Sequence, residues 1–390
     1  MLEFLALAWK AQAWNGTLSY GSLEEIGSMH PAEANSEGLQ VRRNRRSWPL
    51  PLGFELARLT GPRYALRCLL FHDVANELSE FTNGLGVTMA VRGFEALIRF
   101  VSQYYTAITL QDYLDFRARG KFPPRPVVVT FDDAYASVAV NAAPILKRYG
   151  VPAVFFVTAS LVGNEELGLD NLLCYVTNKL GFETVRAVAR QFSFTRTEFV
   201  SLEQIFDHLL PEMSREQIRK FRTALSDAAG TSTRELAQKS QIYVSPEQLR
   251  ALVQSGFEIG NHTYSHVFCR TLTADDFHEE IEGNKSKLEA VTGSKVRAFS
   301  VPYGSPVDLT SGLAENLRRS GHELVFLARD RSNSPDTDPF RLNRISMHSG
   351  TDRDFFAEIE LLPRLRSLAD ILLRRSDKGR NGFRNNVYLA

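Results

Sequence analysis

Apolar positions along this chain follow two alternating periods. Short, mostly apolar runs occupy RCLLFHDV (67–74), Val127–Phe131 and Ala153–Val157, and strands also fit Phe257–Ile259, Val296–Val301 and Leu324–Leu327. Runs of this length, rich in β-branched and aromatic residues, have the form of strands buried on both faces. Between the first two, Phe94, Leu97, Ile98 and Val101 recur at helical spacing, with Thr88 as the predicted cap. Thr109 predicts a second helix start, with Asp112 three residues on as an N-terminal carboxylate. A third helix, through Pro144, Ile145 and Leu146, precedes the Ala153 strand. Strand and helix in repeated alternation predict a parallel sheet or barrel.

The alternation stops near Gly163 and resumes at Ser245. The stretch at about 163–245 reads as a helical insertion, with a capping box at Ser214 and Gln217 and a stop at Gly230. Ser245-Pro246-Glu247-Gln248 is a second box with proline at the first helical position. A long helix is predicted from Thr273 to about Val291, before Gly293. The expected organisation is a leader over 1–64, a barrel over 65–350 carrying the insertion, and a C-terminal amphipathic helix with a basic tail over 351–390. The segment LLPRLRSLADILLRRSDKGRNGFR fits a helix packing its leucines on the domain better than one lying on a membrane surface. The basic run Arg42, Arg43, Arg45, Arg46 reads as a solvated linker.

Composition changes this picture only by exclusion. Among 390 residues, 44% are hydrophobic and 23% charged, which excludes a disordered or collagen-like chain. Lys plus Arg (46) nearly balances Asp plus Glu (45), for a formal charge of +1, so nothing supports a nucleic-acid partner. Cys68, Cys174 and Cys269 are too scattered for a disulfide framework or a metal knuckle. No run approaches the ~18 apolar residues of a membrane span. The apolar start MLEFLALAWKAQAW lacks the positive region of a signal peptide, which points to a cytoplasmic or membrane-associated protein.

Four short motifs carry chemistry, each at the end of an apolar run. Thr130-Phe131-Asp132-Asp133 places two carboxylates where β/α barrels hold their active sites. His262-Thr263-Tyr264-Ser265-His266 puts two imidazoles four residues apart, able to share a cation. With a carboxylate from another strand end they form a two-His-one-carboxylate set suited to Zn²⁺, with Co²⁺ or Ni²⁺ also fitting the ligands. Pro302-Tyr303-Gly304 is a backbone-fixing turn. Leu70-Phe71-His72-Asp73 offers an imidazole as proton donor.

TFDD, then HTYSH, then PYG after a strand resembles the polysaccharide deacetylase family, the NodB-homology domain of carbohydrate esterase family 4. The likeness covers roughly 66–160 and 245–350, and LLFHDV and PFRLNRI resemble a branch acting on poly-N-acetylglucosamine-like or exported polysaccharides. The resemblance implies a distorted (β/α)₇ barrel with Asp133, His262 and His266 as metal ligands and Asp132 as catalytic base. It implies that the Tyr303 backbone N–H binds the oxyanion. The acid is His72 if the motif is permuted to the front, or His348 in the usual late position; His72 carries the fuller motif. The implied reaction removes N-acetyl groups from the amino sugars of a chitin-, peptidoglycan- or poly-N-acetylglucosamine-like polymer. An O-acetyl esterase and a non-catalytic carbohydrate-binding barrel are the alternatives. Family members often work outside the cytoplasm, against the expectation from the N-terminus. Two departures matter: Ala134 replaces the glycine of TFDDG, and Ser300 stands where many members have the arginine that orients the base, which puts the tuning of Asp132 in doubt. The groove tryptophan is missing too, since Trp9, Trp14 and Trp48 all lie in the leader.

Overall fold

Strands that are largely apolar on both faces need cover on both, and here a closed ring provides it. The computed structural model describes residues 63–192, 199–367 and 369. Seven parallel strands form the ring: β1 (Arg67–Phe71), β2 (Pro126–Phe131), β3 (Ala153–Val157), β4 (Glu258–Asn261), β5 (Ala298–Ser300), β6 (Leu324–Ala328) and β7 (Leu342–Ser346). β1 closes it by pairing with β2 (Leu69 with Val129) and with β7 (Leu69 with Ile345). β1, β2 and β3 are buried at every position. The fold is the distorted (β/α)₇ barrel that the family resemblance implied, and all seven strands point their C-terminal ends the same way.

The Ala153–Val157 strand matches its predicted bounds, and the other predicted runs shift by one to three residues at their ends. β7 escaped the apolar pattern because Asn343 and Arg344 interrupt it. Thr88 does not cap a helix. It lies in a two-residue strand, Thr88–Met89, and its hydroxyl donates to Asp73 Oδ2 at 2.7 Å, while the helix starts at Val91 after Ala90. Local strand pairing with Asp73–Val74 outweighs the capping preference there. Thr109 does cap its helix, in a reciprocal box with Asp112.

Among the insertion helices, α1 (Leu169–Leu180), α2 (Phe182–Arg190), α3 (Arg215–Ala229) and α4 (Thr233–Ser240) fill the segment between β3 and β4. The Ser214 capping box and the left-handed Gly230 stop are both present. The chain then returns past β2: Val244 N donates to Ala134 O, and Ala136 N to Ile242 O. The predicted long helix is interrupted. Ala274–Phe277 and Asn284–Thr292 flank a π-wound stretch, His278–Gly283, that turns Glu280 and Ile281 inward. Near the C-terminus, Asp352–Phe356 and Ala357–Leu361 pack Phe355 and Ile359 inward, and Arg67 of β1 pairs with Glu360 at 2.9 Å. The three cysteines are buried and free. Among the described residues, no helix is long and apolar enough to cross a membrane. The leader up to residue 62, with its basic run and tryptophans, and the basic tail from 370 lie outside the described residues.

His322, behind β5, provides a pH handle on stability. Burial pushes its imidazole down to about 4, and the Lys285 ammonium pushes the same way. The unfolded chain therefore takes up a proton that the folded chain refuses. Stability is full above the unfolded pKa of about 6.5 and falls as pH drops from there toward 4. Denaturant titrations of wild type and His322→Gln at pH 7.5 and pH 5 are expected to differ in pH sensitivity, with wild type losing about 2 kcal/mol more. Equal losses would mean that His322 does not resist protonation.

Candidate active site

The strand C-terminal ends gather six of the seven candidate site residues singled out from the sequence, His348 being the exception, and these ends are strained. Among the described residues, five of the eight non-glycine residues with positive φ lie here: Asp133, Ala134, Thr263, His266 and Tyr303. Ala134 adopts φ 60°, the left-handed conformation that the glycine of TFDDG would take freely. Such strain persists only where surrounding bonds over-determine it, and the Val244–Ala134 bond is one of these.

Asp133 Oδ1 sits 3.3 Å from His262 Nε2 and 3.3 Å from His266 Nε2. The ligand atoms of these three residues lie within 4.8 Å of one another. Asp133 Oδ1 is buried and makes no hydrogen bond. Two imidazole nitrogens aimed at an unsatisfied carboxylate oxygen fit a divalent cation such as zinc. Each ring is held at its other nitrogen: His262 Nδ1 lies 2.9 Å from the Ser300 carbonyl, and His266 Nδ1 lies 3.2 Å from Asp170 Oδ2. Partners of this kind orient metal-ligating histidines. Burial alone would lower the His266 pKa, but the Asp133 and Asp170 carboxylates outweigh it and raise it to about 9. Burial alone would raise Asp133, and the surrounding imidazoles, His266 foremost, hold it well below the usual carboxylate range.

Asp132 is almost fully buried and faces the same point, its Oδ2 3.7 Å from His262 Nε2. The doubt raised by Ser300 is resolved by a residue from another strand. Arg344 of β7 grips Asp132 with two bonds, Nη1 to Oδ1 and Nη2 to Oδ2, both 2.7 Å. Ser300 joins them, its hydroxyl 3.1 Å from Asp132 Oδ2 and 2.8 Å from Arg344 Nη2. Burial alone would raise the Asp132 pKa, and the Arg344 guanidinium reverses this and keeps the carboxylate ionised. The sequence held the signal in PFRLNRI, but nothing there connected its second arginine to Asp132.

His72 follows β1 directly, close enough for electrostatic coupling to both aspartates. Burial lowers its pKa, opposed by Asp133 and Asp132. His348 follows β7, but its side chain is 69% exposed and bonds Glu358, with Nδ1 to Oε1 3.2 Å. The charges that influence it are Glu358, Asp330 and Arg366, not the aspartate pair. Tyr303 adopts φ 58° in the turn after β5, and its ring stacks on Phe268 with centroids 3.9 Å apart. Beside His266 and Tyr303 lies a cavity of about 440 Å³, walled by Tyr264 and Phe268 and by Met213, Arg219 and Arg222 of the insertion.

A parallel seven-stranded barrel with an Asp-His-His cluster and a second aspartate at its C-terminal rim is the arrangement that the resemblance to the polysaccharide deacetylases implied. Residues 119–322, just over half of the chain, match the sequence profile described as Polysaccharide deacetylase, and the chain belongs to that family. Over 137 residues it is 26% identical to a poly-beta-1,6-N-acetyl-D-glucosamine N-deacetylase of Staphylococcus aureus strain MSSA476, covering 35% of this chain and 44% of the relative. An enzyme of the same name from Staphylococcus epidermidis is 27% identical over 143 residues, covering 36% and 46%. The match thus spans less than half the length of these relatives. In three dimensions the chain is similar to the Streptococcus pyogenes deacetylase PplD in complex with acetate, with a TM-score of 0.51 at 14% identity, covering 76% of this chain and 99% of that one. That similarity supports the fold.

Proposed function

We propose that this protein is a divalent-metal-dependent N-deacetylase of a poly-N-acetylglucosamine-like polysaccharide. The observation that carries the proposal is the convergence of Asp133, His262 and His266 beside an Arg344-held Asp132. The name shared by the staphylococcal relatives supports the substrate class.

Asp133, His262 and His266 would hold the ion, which when bound would polarise an acetyl carbonyl and lower the pKa of a water. The remaining chemistry belongs to the chain. Asp132, kept ionised by Arg344, takes a proton from the attacking water as its oxygen bonds to the acetyl carbon. The Tyr303 backbone N–H donates to the carbonyl oxygen as negative charge gathers there, a term worth about 3–4 kcal/mol for a well-placed donor. When the C–N bond breaks, its electron pair stays on nitrogen, and His72, acting in its protonated imidazolium form, donates the proton that makes it a neutral amine and returns to the neutral imidazole that burial favours. Acetate and a free amino sugar are the products. The cavity beside His266 offers aromatic faces and arginine donors to neighbouring sugar units.

The test is acetate release from β-1,6-linked N-acetylglucosamine oligomers, with chitin and peptidoglycan fragments alongside. Release is expected to stop with a chelator and return with zinc. Release that ignores the chelator would exclude metal dependence, and release from no N-acetylated oligomer would exclude the deacetylase reading.

A further inference from the structure

The helical insertion touches the metal-ligand cluster at one residue that sequence reasoning did not single out. Asp170 is the second residue of α1. Its Oδ2 lies 3.2 Å from His266 Nδ1, and its Oδ1 accepts a 2.9 Å bond from the Tyr303 hydroxyl. The His266 ring therefore sits between two carboxylates, Asp133 at Nε2 and Asp170 at Nδ1. Tyr303 is in turn held from two sides, by Asp170 at its hydroxyl and by the Phe268 ring at its face.

Asp170 is also firmly placed. The next residue, Asn171, is buried and donates from Nδ2 to the Tyr135 hydroxyl at 2.9 Å and to the Phe81 carbonyl at 2.8 Å. The Tyr243 hydroxyl bonds Asn171 Oδ1 and accepts from Gly168 N at 2.9 Å. Tyr135 belongs to the loop that carries Asp132 and Asp133, so the start of α1 and that loop share one network. The insertion holds the other side of the histidine loop as well. Glu280 accepts from Ser265 N at 2.9 Å and from the Ser265 hydroxyl at 2.6 Å, and Arg215 of α3 pairs with Glu280 at 2.9 Å.

We propose that Asp170 is a positioning residue through which the insertion sets the divalent-ion affinity and coordination geometry of His266. A carboxylate at Nδ1 fixes the proton on that nitrogen, leaves the Nε2 lone pair for the ion, and stops the ring from rotating about χ2. The general alternative is a carboxylate in a first helical turn that merely favours the helix end. That role would leave ion binding unchanged. The proposal rests on the reading of Asp133, His262 and His266 as metal ligands, and the experiment separates the two.

The test uses the full chain, stripped of metal and titrated with Co²⁺, with affinity read by calorimetry and geometry by visible absorption. Wild type is expected to bind one equivalent. Asp170→Ala is expected to bind 10- to 100-fold more weakly, with shifted absorption bands. Asp170→Asn keeps one oxygen acceptor and is expected to fall between them. Glu216→Gln, on the exposed face of α3, should match wild type in both readouts. If wild type binds no Co²⁺, the metal-site reading fails and this proposal with it. If wild type binds and Asp170→Ala binds equally with the same spectrum, the metal site stands and the proposal is overturned. Should Asp170→Ala fail to fold, Asp170→Asn decides by the same two readouts.

Discussion

Replacing Asp132 with asparagine is expected to lower N-deacetylation at least about 100-fold while the protein keeps its bound ion. A positioned base contributes roughly 10² to 10⁴ in rate, and asparagine cannot take up a proton at neutral pH. The converging atoms of Asp133, His262 and His266 are untouched by the change. The substitution also puts an amide against the Arg344 guanidinium, so some stability is lost. Ion content therefore has to be measured on the same folded sample as acetate release. His262→Ala is the contrasting variant, since it deletes an atom of the cluster and is expected to lose ion and activity together. An Asp132→Asn protein that released acetate at a near-normal rate would remove the base from this carboxylate. One that lost its ion would move Asp132 into the ligand set.

The strand–helix alternation was legible in the sequence because most of the barrel strands are short, largely apolar runs, the pattern of strands buried on both faces. The strand that was missed, Leu342–Ser346, is missed for a physical reason: Asn343 and Arg344 break its apolar run at the centre, and a buried arginine there needs an anion waiting for it. That anion, Asp132, lies 212 positions earlier. The grouping of Asp133, His262 and His266 was legible because these residues lie at strand ends, where β/α barrels gather function. Contacts made across the barrel were not. Asp170 looks like any acidic residue in a first helical turn, and Glu280 like any glutamate in a helix, until the π-wound stretch turns it under Ser265. Thr88 shows the converse, a local capping signal overridden by pairing with a strand fifteen residues away.

Replacing Arg344 with methionine is expected to produce the largest loss of stability of any single change at the rim, about 3–5 kcal/mol. The side chain fills a comparable volume, so packing is largely kept. What is lost is a doubly bonded counterion to an almost fully buried carboxylate, and breaking one side of a buried pair costs about that much. Ser300 loses a partner in the same step, because its hydroxyl bonds both Asp132 and Arg344. Lysine at 344 keeps the charge but cannot make two parallel bonds, and should fall between wild type and methionine. The decisive comparison is the double variant Asp132→Asn, Arg344→Met. An uncompensated charge, rather than an absent attraction, dominates the single change. Adding Asp132→Asn to Arg344→Met is therefore expected to restore stability instead of removing more. Denaturant titration of wild type, both single variants and the double variant measures the coupling directly. Additive losses would show that Arg344 acts as bulk in the barrel interior and that Asp132 does not depend on it.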